Sequence, residues 1–531
     1  MKNVIINGKV ILEDSIKELN VFFENGKITE VSNRVPTDET VIDAKGLYVA
    51  PGMIDVHTHG RNGSDTMYAT FKDLNNISVS ELKTGVTSFL PTTMTMPAED
   101  IKKAIAAGYD NKDKVEGAKI LGMHLEGPFF SVKYKGAQPE ECMIAPTVEN
   151  YLSFAGDHPD FVKKISLAPE IEGAVDLIKY LREQNVVVSM GHTDATYEEA
   201  VKAIEAGATS GTHTYNAMTP LKHREPGVVG AVMLHDEVYA ELILDGIHVS
   251  FPAAKILSKM KGADKLILIT DSLEAAMLPD GTYELGNQKV YVKDGQARLK
   301  SGNLAGSTAN LNQCVRNAYK HLDLPLYEAI GYATKNPADH LGLKDYGRIK
   351  EGCVADMILI DDEIDIKRVI LNVTGKRGLG SYVIMTRRMM EEFGISIECE
   401  HDEESGAVKY IIDTGHFYSR DEYEIEPDMS SASYFYAAAA ITGSKVKVKG
   451  VHRNSLQGDI RFIEVLEEMG CKTEEQPDGI VLQGSDHKLK GISINMKDFS
   501  DQSMTLAAIA PFAESNVEIT GIEHIRGQES D

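Results

Sequence analysis

In this 531-residue chain, His57 and His59 are separated by a single residue. Their type and spacing could bind a metal ion. They end an apolar run that begins at Pro51, and Asp55 precedes them at the same two-residue interval. Alternate side chains of an extended strand share one face, so these three side chains would point the same way. The pattern indicates metal ligands, although two solvated histidines on a surface strand are the alternative. A glycine-rich turn follows at once, which favours the end of a strand and the ligand interpretation.

Four more side chains capable of metal binding or acid–base chemistry each follow an apolar run. They are Glu126, His192, His213 and Asp271. Each alone has a simpler explanation, because an acid or histidine after a strand is often a cap or a satisfied polar group. With the histidine pair they make five nitrogen or oxygen ligands plus an aspartate. This set predicts a mononuclear or dinuclear metal centre.

Eight apolar runs of strand character alternate with amphipathic helical patterns through the middle of the chain. The runs are the His57 strand and residues 86–90, 120–125, 165–168, 186–190, 209–212, 239–244 and 266–269. Helical periodicity lies between them, for example from Tyr197 to Ala206 and from Ala253 to Met260. Eight such units favour a (β/α)8 barrel over a doubly wound sheet, so the predicted fold class is α/β. A barrel would collect the candidate ligands at the carboxyl ends of its strands.

Short β-rich runs precede the barrel, and a run of similar character recurs from Gly347 to Ile360. The two pieces are predicted to form one small β-sandwich domain from residues 1–52 and 347–372. The barrel would then span residues 53–346. A different pattern follows in residues 373–531, after a glycine-rich linker from Asn372 to Gly380.

Charge and cysteine content exclude several classes of protein. The formal net charge of -25 argues against broad nucleic-acid or anionic-membrane binding, which needs clustered lysine and arginine. The five cysteines are scattered without a CxxC pair, so neither a disulfide framework nor a thiolate zinc site is expected. No signal peptide or membrane-spanning stretch is apparent. These features predict a cytoplasmic protein without nucleic-acid or membrane partners.

Eight short motifs form an ordered set between Met1 and about Asn372. They run from Pro51 to Gly60, His124 to Phe129, Gly191 to Thr193, Thr212 to Met218, His223 to Gly227, Asp245 to His248, Thr270 to Ser272 and Leu304 to Ser307. The set resembles the amidohydrolase superfamily and, within it, the N-acetylglucosamine-6-phosphate deacetylase family. The resemblance implies metal-dependent hydrolysis of N-acetylglucosamine 6-phosphate to glucosamine 6-phosphate and acetate, in amino-sugar catabolism. Its substrate partner would be a phosphorylated amino sugar.

The resemblance assigns roles to the candidate ligands. Glu126, His192 and His213 would bind one metal, with His57 and His59 available for a second. Some relatives lack the second histidine of the pair and look mononuclear, whereas its presence here allows a dinuclear centre bridged by Glu126. Zinc or iron(II) suits these ligands better than magnesium does, and the sequence does not choose between one and two ions.

Asp271 is the expected catalytic residue. A metal supplies a nucleophile from water near neutral pH and polarises the acetamide carbonyl. Asp271 would take the proton of that water and return it to the departing amine, which leaves poorly without it. The alternative is that Asp271 is a plain metal ligand, and both roles can hold in turn.

The resemblance also implies a set of sugar- and phosphate-binding residues. They are Ala137, Gln138, Asn216, Ala217, Arg224, Asp245, His248, Leu304, Ala305 and Gly306. Arg224 is the expected phosphate clamp, because its planar fork of donors matches phosphate oxygens. Many relatives have histidine where Gln138 stands, and an amide does not exchange a proton near neutrality, so an acid role there is in doubt. The family also implies a homodimer that completes the phosphate contacts.

Different motifs appear beyond Asn372. They run from Ser381 to Thr386, Met389 to Ile395, Asp428 to Phe435, Gln457 to Asp459, Met469 to Gly470, Asp501 to Thr505 and Arg526 to Asp531. They resemble the middle of the 5-enolpyruvylshikimate-3-phosphate synthase family. Asp501 matches that family's acidic catalytic residue and Tyr382 a shikimate-side contact, whereas Gln528 stands where many relatives use lysine.

Residues 373–531 are therefore predicted to form a partial α/β lobe of enolpyruvyl transferase type, joined by fusion. The stretches that supply most of the early basic residues of that family, and its final arginine and lysine, are not present in this sequence. Three interpretations remain open at this stage. They are a deacetylase, a carboxyvinyl transferase acting through the last segment, and a sugar-phosphate binding protein without turnover.

Overall fold

The computed structural model describes residues 2–371, 381–401, 408–413, 419–420, 422–423 and 425–522. The chain divides into two compact units, Met1–Val373 and Thr374–Asp531. The linker predicted at Asn372–Gly380 lies outside the described residues, as do Gln528 and the final motif.

Eight parallel strands form a barrel in the first unit. In chain order, and numbered one to eight below, they are Met53–Thr58, Val86–Thr93, Met123–Glu126, Val162–Leu167, Val187–Met190, Ser210–Gly211, Tyr239–Ile243 and Leu266–Ile269. Each pairs in parallel with the next along the chain, and a short strand, Lys119–Ile120, also pairs with strand two. The predicted (β/α)8 barrel is confirmed.

Backbone hydrogen bonds beyond the strand ends join strands one and eight. Asp271 N donates to His57 O at 2.8 Å, and His59 N donates to Ser272 O at 2.9 Å. A parallel bridge between Thr58 and Ser272 lies at the same seam. The closure of the barrel therefore passes through the residues predicted to bind metal.

Strand eight is buried on both faces, as a barrel strand must be. Leu266 and Leu268 pack in the large core with the helices, whereas Ile267 and Ile269 pack with Ile54 of strand one in a smaller cluster. Alternate side chains point to opposite faces of a strand, so one set faces the helices and the other the barrel interior.

Eight α-helices follow the strands of the barrel. They are Phe71–Lys83, Ala98–Asn111, Val148–Ala155, Ala174–Glu183, Tyr197–Ala206, Gly227–Leu234, Phe251–Lys261 and Leu311–His321, with the short helices Leu326–Gly331 and Lys335–His340 after them. The predicted helix from Tyr197 to Ala206 has the predicted bounds because a capping box between Thr196 and Glu199 fixes its start. Among the described residues, no helix is long and apolar enough to span a membrane.

A small sheet combines both flanks of the barrel. Its strands are Lys2–Ile11, Ile16–Glu24, Lys27–Ser32, Thr40–Asp43, Tyr48–Pro51, Met357–Ile360 and Ile366–Ile370. The strand Tyr48–Pro51 pairs antiparallel with Met357–Ile360, which joins the two distant pieces of chain. The sheet unites the two flanks that the sequence predicted to form a small β domain, and the predicted sandwich and its bounds stay a prediction.

An antiparallel three-stranded meander between strand eight and the helix Leu311–His321 was not predicted. Its strands are Gly281–Leu285, Gln288–Lys293 and Gln296–Leu299. The signal for it is present in the sequence, because Asp294 and Gly295 form a turn dipeptide after an alternating run. The Gln288 side chain donates to Ala137 O at 2.6 Å, so the meander contacts a loop predicted to bind substrate.

The second unit has α/β structure with its own hydrophobic core. Its helices are Ser381–Glu392, Met429–Thr442, Phe462–Glu468 and Ser503–Ile509. Its strands are Ile397–His401, Val408–Asp413, Lys445–Lys449, Lys472–Gln476, Gly479–Gln483, Ser493–Asn495 and Glu518–Thr520. Tyr436, Phe462, Leu466, Leu482 and Leu506 are fully buried in one cluster. The predicted α/β character of this segment is confirmed.

Candidate metal centre and active site

Among the residues that the structure describes, two groups of side chains have ligand atoms that converge within 4.8 Å. One group is His57, His59 and Asp271, and the other is Glu126, His192 and His213. All six side chains follow or end barrel strands and are buried. The structure thus brings together every residue that the sequence predicted as a metal ligand or as the acid–base residue.

The Glu126 carboxylate lies between the two groups. Its Oε1 is 3.1 Å from His213 Nε2, 3.4 Å from His192 Nε2 and 3.3 Å from His57 Nε2. Its Oε2 is 3.1 Å from His59 Nε2. One carboxylate therefore faces all four imidazoles, which is the arrangement that a bridging ligand needs.

Backbone carbonyl groups fix the orientation of three of these imidazoles. The contacts join Nδ1 of His59 to Thr92 O at 3.2 Å, of His192 to Tyr134 O at 3.0 Å and of His213 to Asn216 O at 3.1 Å. A carbonyl oxygen only accepts, so each Nδ1 carries the proton and each Nε2 presents a lone pair to the centre. Histidines that bind metals through Nε2 are held in this way.

The donor set fits a divalent metal ion. The Nε2 atoms of His192 and His213 lie 3.1 Å apart with both lone pairs facing the same space. That approach is repulsive unless a cation lies between them. His57 Nε2 is buried without a hydrogen-bond partner among the described residues. Imidazole nitrogens with carboxylate oxygens are the ligands of zinc and related transition metals.

The two buried carboxylates of the centre also need a positive charge nearby to stabilise their ionised form. Burial disfavours protonation of His57, but the carboxylates of Glu126 and Asp271 outweigh it and raise the pKa of His57 to about 9. Burial would raise the pKa of Glu126, yet the neighbouring imidazoles of His57, His192 and His213 hold it well below its usual range. Both carboxylates remain ionised, and a bound cation would supply the charge that protonated imidazoles otherwise provide.

Three of the candidate residues have left-handed backbone conformations. The φ angles are 49° at His192, 30° at His213 and 50° at Asp271. Such conformations cost a residue other than glycine on the order of 1–3 kcal/mol and cluster at functional sites. Surrounding hydrogen bonds hold them, as where Asp271 N donates to His57 O.

Asp271 and Asp55 have different surroundings. Asp271 Oδ1 lies 3.4 Å from His57 Nε2 and 3.3 Å from His59 Nε2, beside the centre. Asp55 belongs to neither group, because it accepts hydrogen bonds from the Thr270 hydroxyl and the backbone N–H of His57. Asp55 thus ties strand one to strand eight below the ligands.

A cavity of about 310 Å³ opens onto the centre. Seven of the ten residues predicted to bind sugar and phosphate line it: Ala137, Gln138, Asn216, Ala217, His248, Leu304 and Gly306. The residues that sequence reasoning did not identify are Met94, Lys133, Tyr134, Gly136, Leu285 and Asn303. Leu285 belongs to the unpredicted meander and Met94 follows strand two, whereas the other four lie beside residues that were predicted to bind substrate.

The other three predicted substrate residues, Asp245, Arg224 and Ala305, are not part of the cavity lining. Asp245 Oδ2 accepts from His248 Nδ1 at 2.7 Å, and Asp245 Oδ1 accepts the N–H groups of Ile247 and His248. Asp245 therefore orients a residue that does line the cavity. Arg224 is exposed, and Ala305 is buried. The role of Arg224 in phosphate binding stays a prediction.

Gln138 contacts a candidate ligand directly. Its Nε2 donates to Glu126 Oε2 at 2.8 Å, while Thr95 N donates to its Oε1 at 2.8 Å. Both ends of the amide are hydrogen-bonded, so the side chain holds the Glu126 carboxylate in place. The arrangement agrees with the doubt that the sequence raised about an acid role for this residue.

Comparisons with known proteins cover both units. The model of the Amidohydrolase family matches residues 48–396, and that of EPSP synthase (3-phosphoshikimate 1-carboxyvinyltransferase) matches residues 372–531. The chain is 39% identical over 359 residues to N-acetylglucosamine-6-phosphate deacetylase of Bacillus subtilis (strain 168), covering 66% of this chain and 91% of the relative. It is 36% identical over 337 residues to N-acetylgalactosamine-6-phosphate deacetylase of Escherichia coli O157:H7, covering 63% and 89%.

A solved structure agrees with these relatives. The crystal structure of N-acetylglucosamine-6-phosphate deacetylase from Pasteurella multocida superimposes with a TM-score of 0.67 at 30% sequence identity. The match covers 70% of this chain and 98% of that one. Sequence, barrel and clustered ligands agree, and the chain belongs to the amidohydrolase family of metal-dependent enzymes.

Proposed function

We propose that this protein removes the acetyl group from N-acetylglucosamine 6-phosphate in a metal-dependent hydrolysis. The observation that carries the proposal is the convergence of four imidazoles and two carboxylates at one end of a cavity of about 310 Å³. A cavity of that size accommodates a small polar molecule. The names of the relatives in B. subtilis and P. multocida support the choice of substrate.

The proposed centre holds two zinc or iron(II) ions. Glu126, His192 and His213 would bind one ion, and His57 and His59 the other, with Glu126 as the shared ligand. The four short distances from the Glu126 carboxylate to the imidazoles support the bridging role. The ions would supply a nucleophile from water near neutral pH and polarise the acetamide carbonyl.

The protein's own residues handle the proton and the sugar. Asp271 stands beside both His57 and His59, where its carboxylate can accept a proton from the attacking water and pass it to the amine nitrogen. An amine is a poor leaving group until it is protonated, so this transfer permits collapse of the tetrahedral intermediate. His248, held by Asp245, faces the cavity as a hydrogen-bonding group for the sugar phosphate.

The phosphate-binding proposal includes Arg224 and a second copy of the chain. Arg224 is exposed and does not line the cavity, which fits a cation that completes the site where two copies meet. Sedimentation velocity on the full-length protein tests this part, with a homodimer as the expected species. A monomer that retains full activity would contradict it.

Acetate release tests the activity. Protein stripped with a chelator and reloaded with zinc or iron(II) should release acetate and glucosamine 6-phosphate from N-acetylglucosamine 6-phosphate, and the stripped protein should not. N-acetylgalactosamine 6-phosphate is the informative competitor, because one relative is named for it and it differs only in the configuration at one carbon. No acetate from either sugar phosphate with a fully loaded protein would overturn the proposal.

A further inference from the structure

A buried ion pair lies inside the barrel beneath the candidate ligands. Lys164 Nζ of strand four is 2.6 Å from Glu241 Oε1 of strand seven, and neither side chain has any exposed area. Removing two charges from water costs several kcal/mol per ion, and apolar replacements of such pairs are often as stable. Stability alone is therefore a weak reason for this pair to occupy the interior.

The second oxygen of Glu241 faces a candidate metal ligand. Glu241 Oε2 lies 3.7 Å from His57 Nδ1. His57 differs here from the other three imidazoles, whose Nδ1 atoms contact backbone carbonyls. Its own Nδ1 is buried without a hydrogen-bond partner among the described residues. Among the four candidate ligand histidines, His57 is thus the one whose Nδ1 faces a carboxylate, that of Glu241, and not a backbone carbonyl.

We propose that Glu241 is a positioning residue for His57. Its carboxylate keeps the proton of His57 on Nδ1, so that Nε2 is directed at the metal centre, and Lys164 holds that carboxylate in place. A carboxylate behind a histidine also makes the imidazole a stronger ligand than a carbonyl does. The inference rests on the proposed metal centre but not on the identity of the sugar.

The proposal distinguishes the two ions. His57 and His59 belong to one ligand group, and Glu126, His192 and His213 to the other. Glu241 faces the first group through His57, and among the described residues it forms no hydrogen bond or ion pair with His192 or His213. Loss of Glu241 should therefore weaken binding of one ion and leave the other nearly unchanged.

The test is metal binding by the full-length chain, measured without turnover. Glu241→Gln keeps the shape and an acceptor for Lys164, but it turns an N–H donor toward His57 Nδ1. Chelator competition with zinc should show one ion bound as in the unaltered protein and the second weakened by about 10- to 100-fold. The rise in Tm on metal loading should shrink accordingly.

Two further variants separate positioning from structure. Glu241→Asp keeps the negative charge beside Lys164 and should bind the second ion more tightly than Glu241→Gln does. Glu81→Gln is the matched control, because it disrupts another fully buried ion pair, with Arg61, and Glu81 forms no ion pair with a candidate ligand among the described residues. It should lower Tm of the metal-free and loaded proteins equally and leave both ions bound.

The outcomes are distinct. If Glu241→Gln, or Glu241→Asp where the amide variant does not fold, binds both ions as tightly as the unaltered protein, the inference is overturned. If Glu241→Gln lowers Tm equally with and without metal, the Lys164–Glu241 pair has a purely structural role, and the inference is also overturned. An unaltered protein that binds fewer than two ions would instead overturn the proposed dinuclear centre, and this inference with it.

Discussion

Asp271 offers one carboxylate oxygen to both histidines of the His57–His59 pair. Asp271→Asn keeps the shape of the side chain, and asparagine tolerates the left-handed backbone at this position. We expect the variant to fold and bind substrate but to lose kcat by about 10²- to 10⁴-fold, the usual contribution of general acid–base catalysis. Steady-state kinetics with parallel determination of bound metal will measure this. A loss below about tenfold with full metal content would reject the acid–base role.

Arg224 has a matched control two residues away in the same exposed loop. Arg224→Ala should raise KM for N-acetylglucosamine 6-phosphate by about 10- to 100-fold, because hydrogen bonds to charged groups are lost. KM for unphosphorylated N-acetylglucosamine should change little. Lys222→Ala removes a nearby exposed cation and should affect neither substrate. Equal effects of Arg224→Ala on both substrates would remove the phosphate assignment.

The sequence identified the residues that converge in the candidate metal centre more completely than those that line the cavity. His57, Glu126, His192 and His213 could be found because each follows a recognisable strand, and strands of a barrel end at one face. The place of Leu285 in the cavity wall could not be predicted from the sequence, because it depends on how the meander folds over the loop at Ala137. The tautomers of the ligands also required structure, because the carbonyl groups that set them lie elsewhere in the chain.

The short helix Thr66–Tyr68 begins at a buried aspartate that gives a pH-dependent test. Asp65 accepts the N–H of Met67 at 2.7 Å, and burial raises the pKa of Asp65 from 3.8 to about 6. Between those values the folded protein binds more protons than the unfolded chain, so the free energy of unfolding falls as pH rises. Above pH 6 the ionisation of buried Asp65 has lowered the free energy of unfolding by roughly 3 kcal/mol.

Asp65→Asn should remove that loss while keeping an acceptor for Met67. Relative to the unaltered protein, the variant should gain stability as pH rises from about 4 to about 6 and then stay constant. Urea unfolding across this range is the measurement. Asp113→Asn, at an exposed position, controls for the loss of one negative charge. A stability difference that does not change with pH would contradict the buried titration.

Element boundaries were predictable where local chemistry sets them. The helix Tyr197–Ala206 begins at its capping box and ends before Gly207, and both signals are readable in the sequence. Strand six is only Ser210–Gly211, shorter than its apolar pattern suggested, because the chain turns at once into the left-handed His213. The residue pattern predicts that a strand is present, but it does not show at which residue a turn such as the one at His213 ends that strand.

The candidate metal ligands, the cavity and the small sheet all belong to the first compact unit. A chain truncated after Val373 should therefore keep deacetylase activity, with kcat/KM within about twofold of the full-length value. Activity assays and metal content on both chains provide the measurement. Loss of activity on truncation would show that Thr374–Asp531 contributes to the site. Enolpyruvyl transfer by the full chain would contradict the prediction of a partial lobe.

The backbone hydrogen bonds between His57 and Asp271, and between His59 and Ser272, close the barrel where the ligands meet. During synthesis at about 5–20 residues per second, roughly 10 to 40 s separate the emergence of His57 from that of Asp271. Over this interval the histidine pair lacks Asp271, the third member of its candidate ligand group. The finished enzyme is therefore expected to select its metal after the chain has closed on itself, and not while the ribosome is still extending it.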